Sequence, residues 1–299
     1  MTVGALVDFL KNQSEKGLSH VYLSEQARNA VKSAIKFHKK QSTQAVQAPT
    51  VSAPDHQLAA PARPTRPERP APQADPPVVP VAPITNPSLE LPAGSKDEQI
   101  FALKEISAAW PVAMQLGTLR NKPVFSSGPT NATLLIIGDS PGFDDELKSA
   151  PFMGKAGQKL NQILKAMGIG REAVYLTNIC KLRPSSPGQT TNTRKPSQAE
   201  IDAYLPILKK ELEIIQPSCL IILGATATQA LIPSTQPIAT LVGTWQEYMG
   251  IPARITYHPN FLLRNEENIT AKRKLWEDML AVMERLDLAI SEKQRNFFK

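Results

Sequence analysis

The sequence predicts an α/β fold: a three-layer α/β/α domain around a central, mostly parallel, four-stranded sheet. Two observations carry this. Short apolar runs that close on a glycine or a polar residue fall at 134–137, 173–178, 218–223 and 253–257, and helical patterns alternate with them. That alternation argues for parallel strands with both faces covered. The stretch that holds them, 97–299, is also long enough to bury one sizeable core.

The chain before that stretch has a different character. Residues 1–41 read as a small helical module: Val3, Leu6, Phe9 and Leu10 share one stripe, and Ser24 is placed to cap a second helix with Ala27, Val31, Ile35 and Phe37. The basic end of that helix at 36–40 suits a helix C-terminus. Docking on another protein is therefore the expected role of the module. Across 42–96 prolines recur from Pro49 to Pro92 with almost no aromatic residues. Such a segment buries too little apolar surface to offset its ordering entropy, so a disordered, semi-stiff linker is expected.

Within the domain, 97–110 reads as a helix with Ile100, Leu103, Ile106 and Trp110 on one face. The central segment is ATLLIIGDSPGFDDELKSAPFMGKAG at 132–157. Its apolar run is a buried strand, and Gly138-Asp139-Ser140-Pro141-Gly142 is a tight polar turn. A helix starts near Gly154 and carries Leu160, Ile163, Leu164 and Met167 inward. The strand at 173–178 ends on Asn178, and a long loop at 182–195 follows; loops of that length are usually functional or disordered. Ser197 with Glu200 three residues on is a capping box, opening a helix to about 215. The strand at 218–223 closes at Gly224, and the strand at 253–257 ends at His258-Pro259. A last helix, 271–286, points Leu275, Met279, Val282 and Leu286 inward.

Composition narrows the function classes. A net charge of +7 weakly favours an acidic partner such as nucleic acid. Two cysteines, Cys180 and Cys219, supply neither a disulfide framework nor a metal quartet. With no basic leader before a long apolar core and no apolar run of membrane-spanning length, a soluble cytoplasmic protein is expected.

Three strand ends carry polar residues: Asp139, Asn178 and His258. In a parallel sheet these ends share one edge, where open α/β sheets bind ligands. Of the four histidines, His20, His38 and His56 lie in the N-terminal module or linker, leaving His258 alone in the domain. A lone imidazole rules out a histidine-pair metal site. It reads either as a satisfied structural residue or as a catalytic one.

The motifs GDSPG, PFMGKAG, YLTN-x-x-K-x-RP and YHPNFLLR occur in that order. Together they resemble the uracil-DNA glycosylase superfamily, most closely its family 4 (iron–sulfur) branch, whose pattern reads GEAPG…PFVGxAG…TNxxKCRP…HPxxLLR. The resemblance covers about 110–285. It implies a DNA glycosylase of base-excision repair, acting as a monomer on single- or double-stranded DNA. It assigns Asp139 to water activation and His258 to a hydrogen bond on the leaving base. Gly138, Phe152 and Asn178 would bind the base, Phe152 by stacking and Asn178 through its amide. Lys181, Arg183, Arg194, Lys195 and Arg264 are the candidate phosphate contacts.

The departures from that pattern are specific. The branch holds a four-iron, four-sulfur cluster with four cysteines, but the matching positions here are Pro111, Met114, Leu182 and Tyr204. None supplies a thiolate, so the cluster is expected to be absent and no other metal or cofactor is called for. Asp139 stands where the branch has glutamate, one methylene shorter with the charge kept. This leaves a second expectation open, a glycosylase-fold module that grips uracil or DNA with weak turnover. A third is an unrelated α/β nucleotide-binding or hydrolase domain with Ser140 as nucleophile. It lacks both the phosphate-loop and the nucleophile-elbow spacing.

Overall fold

The computed structural model describes residues 89–185, 189 and 194–298. The expectations for 1–41, for most of the linker and for the middle of the loop at 182–195 lie outside the described residues.

Helix α1 (Lys96–Ala108) begins at Ser95, whose hydroxyl accepts from the Glu98 N–H while the Glu98 carboxylate takes the Ser95 N–H. Short α2 (Pro111–Met114) follows, then strand β1 (Leu119–Pro123). Next come β2 (Leu134–Gly138), α3 (Phe143–Lys148) and α4 (Lys155–Met167). A single 3₁₀ turn at Arg171–Ala173 leads into β3 (Tyr175–Asn178) and β4 (Leu182–Pro184). Long α5 (Gln198–Ile215) starts at the Ser197/Glu200 capping box that the sequence announces. The rest runs β5 (Cys219–Leu223), α6 (Gly224–Leu231), α7 (Ile238–Leu241), β6 (Trp245–Tyr248) and β7 (Ile251–Thr256). Helices α8 (Pro259–Arg264), α9 (Ile269–Arg285) and α10 (Glu292–Arg295) close the chain.

Among the described residues the main sheet has five strands, ordered β3-β2-β5-β7-β6, one more than the sequence predicts. Four of them are parallel and β6 is antiparallel at the edge. The sequence hides β6 because its residues, WQEY, are half-exposed and polar, and only one side of an edge strand is paired. It joins β7 through Met249-Gly250, both at positive φ (55° and 76°), as a two-residue hairpin requires. A second pair, β1 with β4, lies outside the main sheet.

Strand alternation builds the three layers. Leu135, Ile137, Leu220 and Ile222 face one apolar core with Leu103, Trp110, Ile207 and Leu212 from α1 to α5. Their neighbours Leu134, Ile136, Cys219 and Ile221 face a second core with Leu160, Leu164, Leu275 and Met279 from α4 and α9. Period two sends successive side chains to opposite faces, so each strand reads as continuously apolar. Leu89 and Leu91, placed by sequence at the tail of the linker, pack against the first core.

Candidate active site

The parallel register brings four strand ends to one edge. Gly138 pairs with Asn178, and Leu223 with Thr256, so Asp139, Asn178, Gly224 and His258 leave the sheet side by side. The chain beyond β3 stays bonded to this edge: the Ile179 N–H donates to Gly138 O and the Cys180 N–H to Asp139 O. Gly138 is a close-approach glycine. A Cβ there would sit 2.3 Å from Asn178 Oδ1 and 2.7 Å from the Phe152 ring, so the backbone forms the floor between them.

Asn178 is 2 % exposed, and its Nδ2 has no hydrogen-bond partner among the described residues. Buried amide donors are paired in folded proteins nearly always. The Asn178 donor, open at the sheet edge, is available to a ligand atom. Phe152 is buried beside it, with its ring centroid 6.4 Å from that of His258. Phe152 adopts a left-handed backbone (φ 55°), and its carbonyl is crossed closely by helix α4, where a Cβ on Gly157 would lie 1.6 Å from it. The strained conformation is held from outside. Arg171 donates to the carbonyls of Pro151 and Phe152, and the Asp145 carboxylate accepts from Met153 N–H (2.6 Å) and Gly142 N–H (3.0 Å). Asp145 thus ties the loop bearing Asp139 to the loop bearing Phe152. The sequence shows Asp145 only as one of three adjacent acids, and nothing in it marks Arg171.

His258 caps α8: its Nδ1 accepts from the Asn260 N–H at 3.1 Å. Nε2 therefore carries the proton of the neutral ring and is the free donor. Burial pulls the imidazole pKa down, Asp139 raises it in part, and Arg264 lowers it further. The Asp139 carboxylate takes the Ser140 N–H at 2.8 Å, which turns one oxygen into its own loop.

Two of the five basic residues named for phosphate contact, Lys181 and Arg183, are buried in ion pairs, a correction to the sequence reading, and Arg194 is part-exposed and engaged with protein groups. Lys181 has no exposed surface and is ion-paired with Glu211. Arg183 is 8 % exposed, paired with Glu146 at 2.6 Å and stacked over Phe143. Arg194 holds Glu200 at 2.6 Å and the carbonyls of Ser185 and Thr118. A charge in a loop looks the same in sequence whether it meets water or a buried carboxylate. Lys195 and Arg264 are exposed, and Arg264 is close enough to influence His258.

A buried edge with an open amide donor, an aromatic platform, a neutral imidazole donor and a carboxylate suits a flat heterocycle with carbonyl groups. Comparison with known proteins is decisive. The family model of the uracil DNA glycosylase superfamily matches residues 125–280. The chain belongs to the uracil-DNA glycosylase superfamily. It is 33% identical over 162 residues to a type-4 uracil-DNA glycosylase of Thermotoga maritima, covering 54% of this chain and 81% of that one. Type-4 enzymes of Pyrobaculum aerophilum and Saccharolobus solfataricus are each 32% identical, over 153 and 181 residues, or 48% and 58% of this chain and 75% and 80% of theirs. The superfamily match contains Asp139, Phe152, Asn178 and His258 and leaves the first 124 residues unmatched.

The iron–sulfur cluster implied by the family 4 resemblance has no suitable donors at the matching positions. Leu182 and Tyr204 are fully buried in the first apolar core, with Trp110 and Ala113 in the same cluster. Met114 is about half exposed, and Pro111 opens α2. Trp110 Nε1–H donates to Ala203 O at 2.7 Å, fastening this arm to α5 by a protein contact. A thiolate-bound cluster does not fit this residue set. Among the described residues no group of three His, Cys, Asp or Glu side chains is arranged around a metal position, and no helix is long and apolar enough to cross a membrane.

Proposed function

We propose that this chain is a DNA glycosylase that hydrolyses the N-glycosidic bond of uracil, or of another deaminated base, in DNA, as the first step of base-excision repair in the cytoplasm. The observation that carries the reading is the buried Asn178 amide nitrogen without a partner, beside Phe152 and His258. A base inside a duplex cannot reach such a pocket, so it enters flipped out or from a single strand. Asn178 donates through Nδ2 to uracil O4 and accepts from N3–H through Oδ1; cytosine has the reverse pattern and is rejected. Phe152 stacks on the ring. His258 donates Nε2–H to O2 as negative charge develops there, a type of stabilisation commonly worth about 10²–10³ in rate. Asp139 orients the attacking water and faces the cationic sugar.

This chemistry is hydrolytic and uses side chains present in the chain, and we propose that it proceeds without an iron–sulfur cluster. Arg264 and Lys195 are the exposed candidates for phosphate contact, and the protein acts as a monomer. Incubation with single strands containing uracil, hypoxanthine or xanthine, followed by alkali, tests the reading. Strand breaks at uracil support it; no base release from any of the three contradicts it.

One observation favours a second reading, a glycosylase-fold module with weak turnover: the shorter Asp139 side chain bonds its own turn at Ser140. Asp139→Glu separates the two. If the short acid limits turnover, the single-turnover rate rises about tenfold, because the carboxylate then reaches the water position. If the pocket is shaped to aspartate, the extra methylene overcrowds it and the rate falls.

A further inference from the structure

A fully buried ion pair lies behind the site and takes no part in the chemistry above. Lys181, between β3 and β4, pairs with Glu211 in α5, and neither side chain is exposed. The Lys181 ammonium donates to Glu211, to Thr177 Oγ1 (2.6 Å) and to the backbone carbonyl of Asn178 (2.7 Å). Glu211 also accepts from Tyr175 Oη–H at 3.0 Å and Thr177 Oγ1–H at 3.1 Å, and Tyr175 Oη lies 2.6 Å from Ser126 Oγ. The hydrogen-bond partners of the pair, Tyr175, Thr177 and Asn178, thus all belong to β3.

Stability is a poor reason for this arrangement. A buried ion pair is at best about even with apolar side chains of the same volume, since desolvation offsets the attraction. Its place in the fold suggests another. Strand β3 is an edge strand, paired with β2 on one side and held on the other by an isolated bridge between Ser127 and Leu176. Its last residue is Asn178, whose carbonyl is fixed by Lys181 while its amide opens to the site. Backbone bonds from Ile179 and Cys180 hold the strand end to β2 on one side, and the Lys181 ammonium is the side-chain contact that fixes the Asn178 carbonyl from within.

We propose that the Lys181–Glu211 pair is a positioning device that locks the end of β3, so that the Asn178 amide meets the base in one orientation. The inference rests on the glycosylase reading, with Lys181 and Glu211 acting through Asn178 and touching no substrate.

The test compares the full chain with the double variant Lys181→Met, Glu211→Gln. The pair is changed together because Lys181→Met alone strands a buried carboxylate and can unfold the protein. Glutamine keeps an acceptor for Tyr175 and Thr177. The expected result is a thermal midpoint close to the parent's and unchanged affinity for uracil-free single strands. The saturating single-turnover rate on uracil should fall at least about tenfold, with a smaller preference for uracil over cytosine. Hydrogen exchange should quicken at 175–181 alone. Unchanged rate and base preference overturn the proposal, as does a double variant that no longer folds, because the pair would then be a stability element. If the parent itself releases no uracil, the glycosylase reading fails separately. The exchange measurement then still decides: local quickening at 175–181 supports positioning and uniform protection overturns it.

Discussion

His258 is a neutral imidazole whose tautomer is set by the Asn260 N–H, and this has a consequence for stability. Burial places its pKa in the folded chain below the ordinary value, so at mildly acidic pH the unfolded chain binds the extra proton. The contribution is fully present above the unfolded pKa, near 6.5, and is lost as pH falls below it. Unfolding free energies measured from pH 7.5 down to 5 should therefore fall less steeply in His258→Gln than in the parent; equal slopes contradict the half-buried, neutral assignment. Asp139, Asn178 and His258 were legible as a group because each ends an apolar run. The roles of Lys181, Arg183 and Arg194 were not, because burial of a cation depends on a carboxylate thirty or more residues away, as with Glu211 and Glu146, or on the turn that brings Glu200 back to Arg194.

Helix α5 and the arm that packs on it are joined by protein contacts, among them the Trp110 bond to Ala203 O. Tyr204 brings a hydroxyl into the apolar core with no partner among the described residues. Burial of such a group costs about 1–3 kcal/mol, so Tyr204→Phe should raise the unfolding free energy by about 1 kcal/mol, with iron absent from parent and variant alike. A destabilised variant, or stoichiometric iron in the purified parent, counts against this account of the arm. At this scale the sequence marked α5 through its capping box and the four parallel strands through their apolar runs. It missed β1, β4 and β6 for a common reason. Each is short, polar or partly exposed, and its pairing is decided by the partner strand rather than by its own pattern.

The whole molecule joins a glycosylase-superfamily domain to an N-terminal stretch of different composition. Leu89 and Leu91, before Ser95, pack against the first core. A chain beginning at Leu89 should unfold cooperatively and keep the parent's midpoint, and one beginning at Ser95 should melt lower by a few degrees. Identical midpoints would show that the two leucines contribute nothing. The domain's central claim is that an open, buried amide on Asn178 selects the base. Single-turnover uracil release from a single-stranded oligonucleotide, by the parent and Asn178→Ala side by side, tests it most directly. Losing two hydrogen bonds to the base edge should cost about 10² in rate, with cleavage by the parent confined to uracil positions. Equal rates in the two proteins, or no release by the parent, would contradict the account.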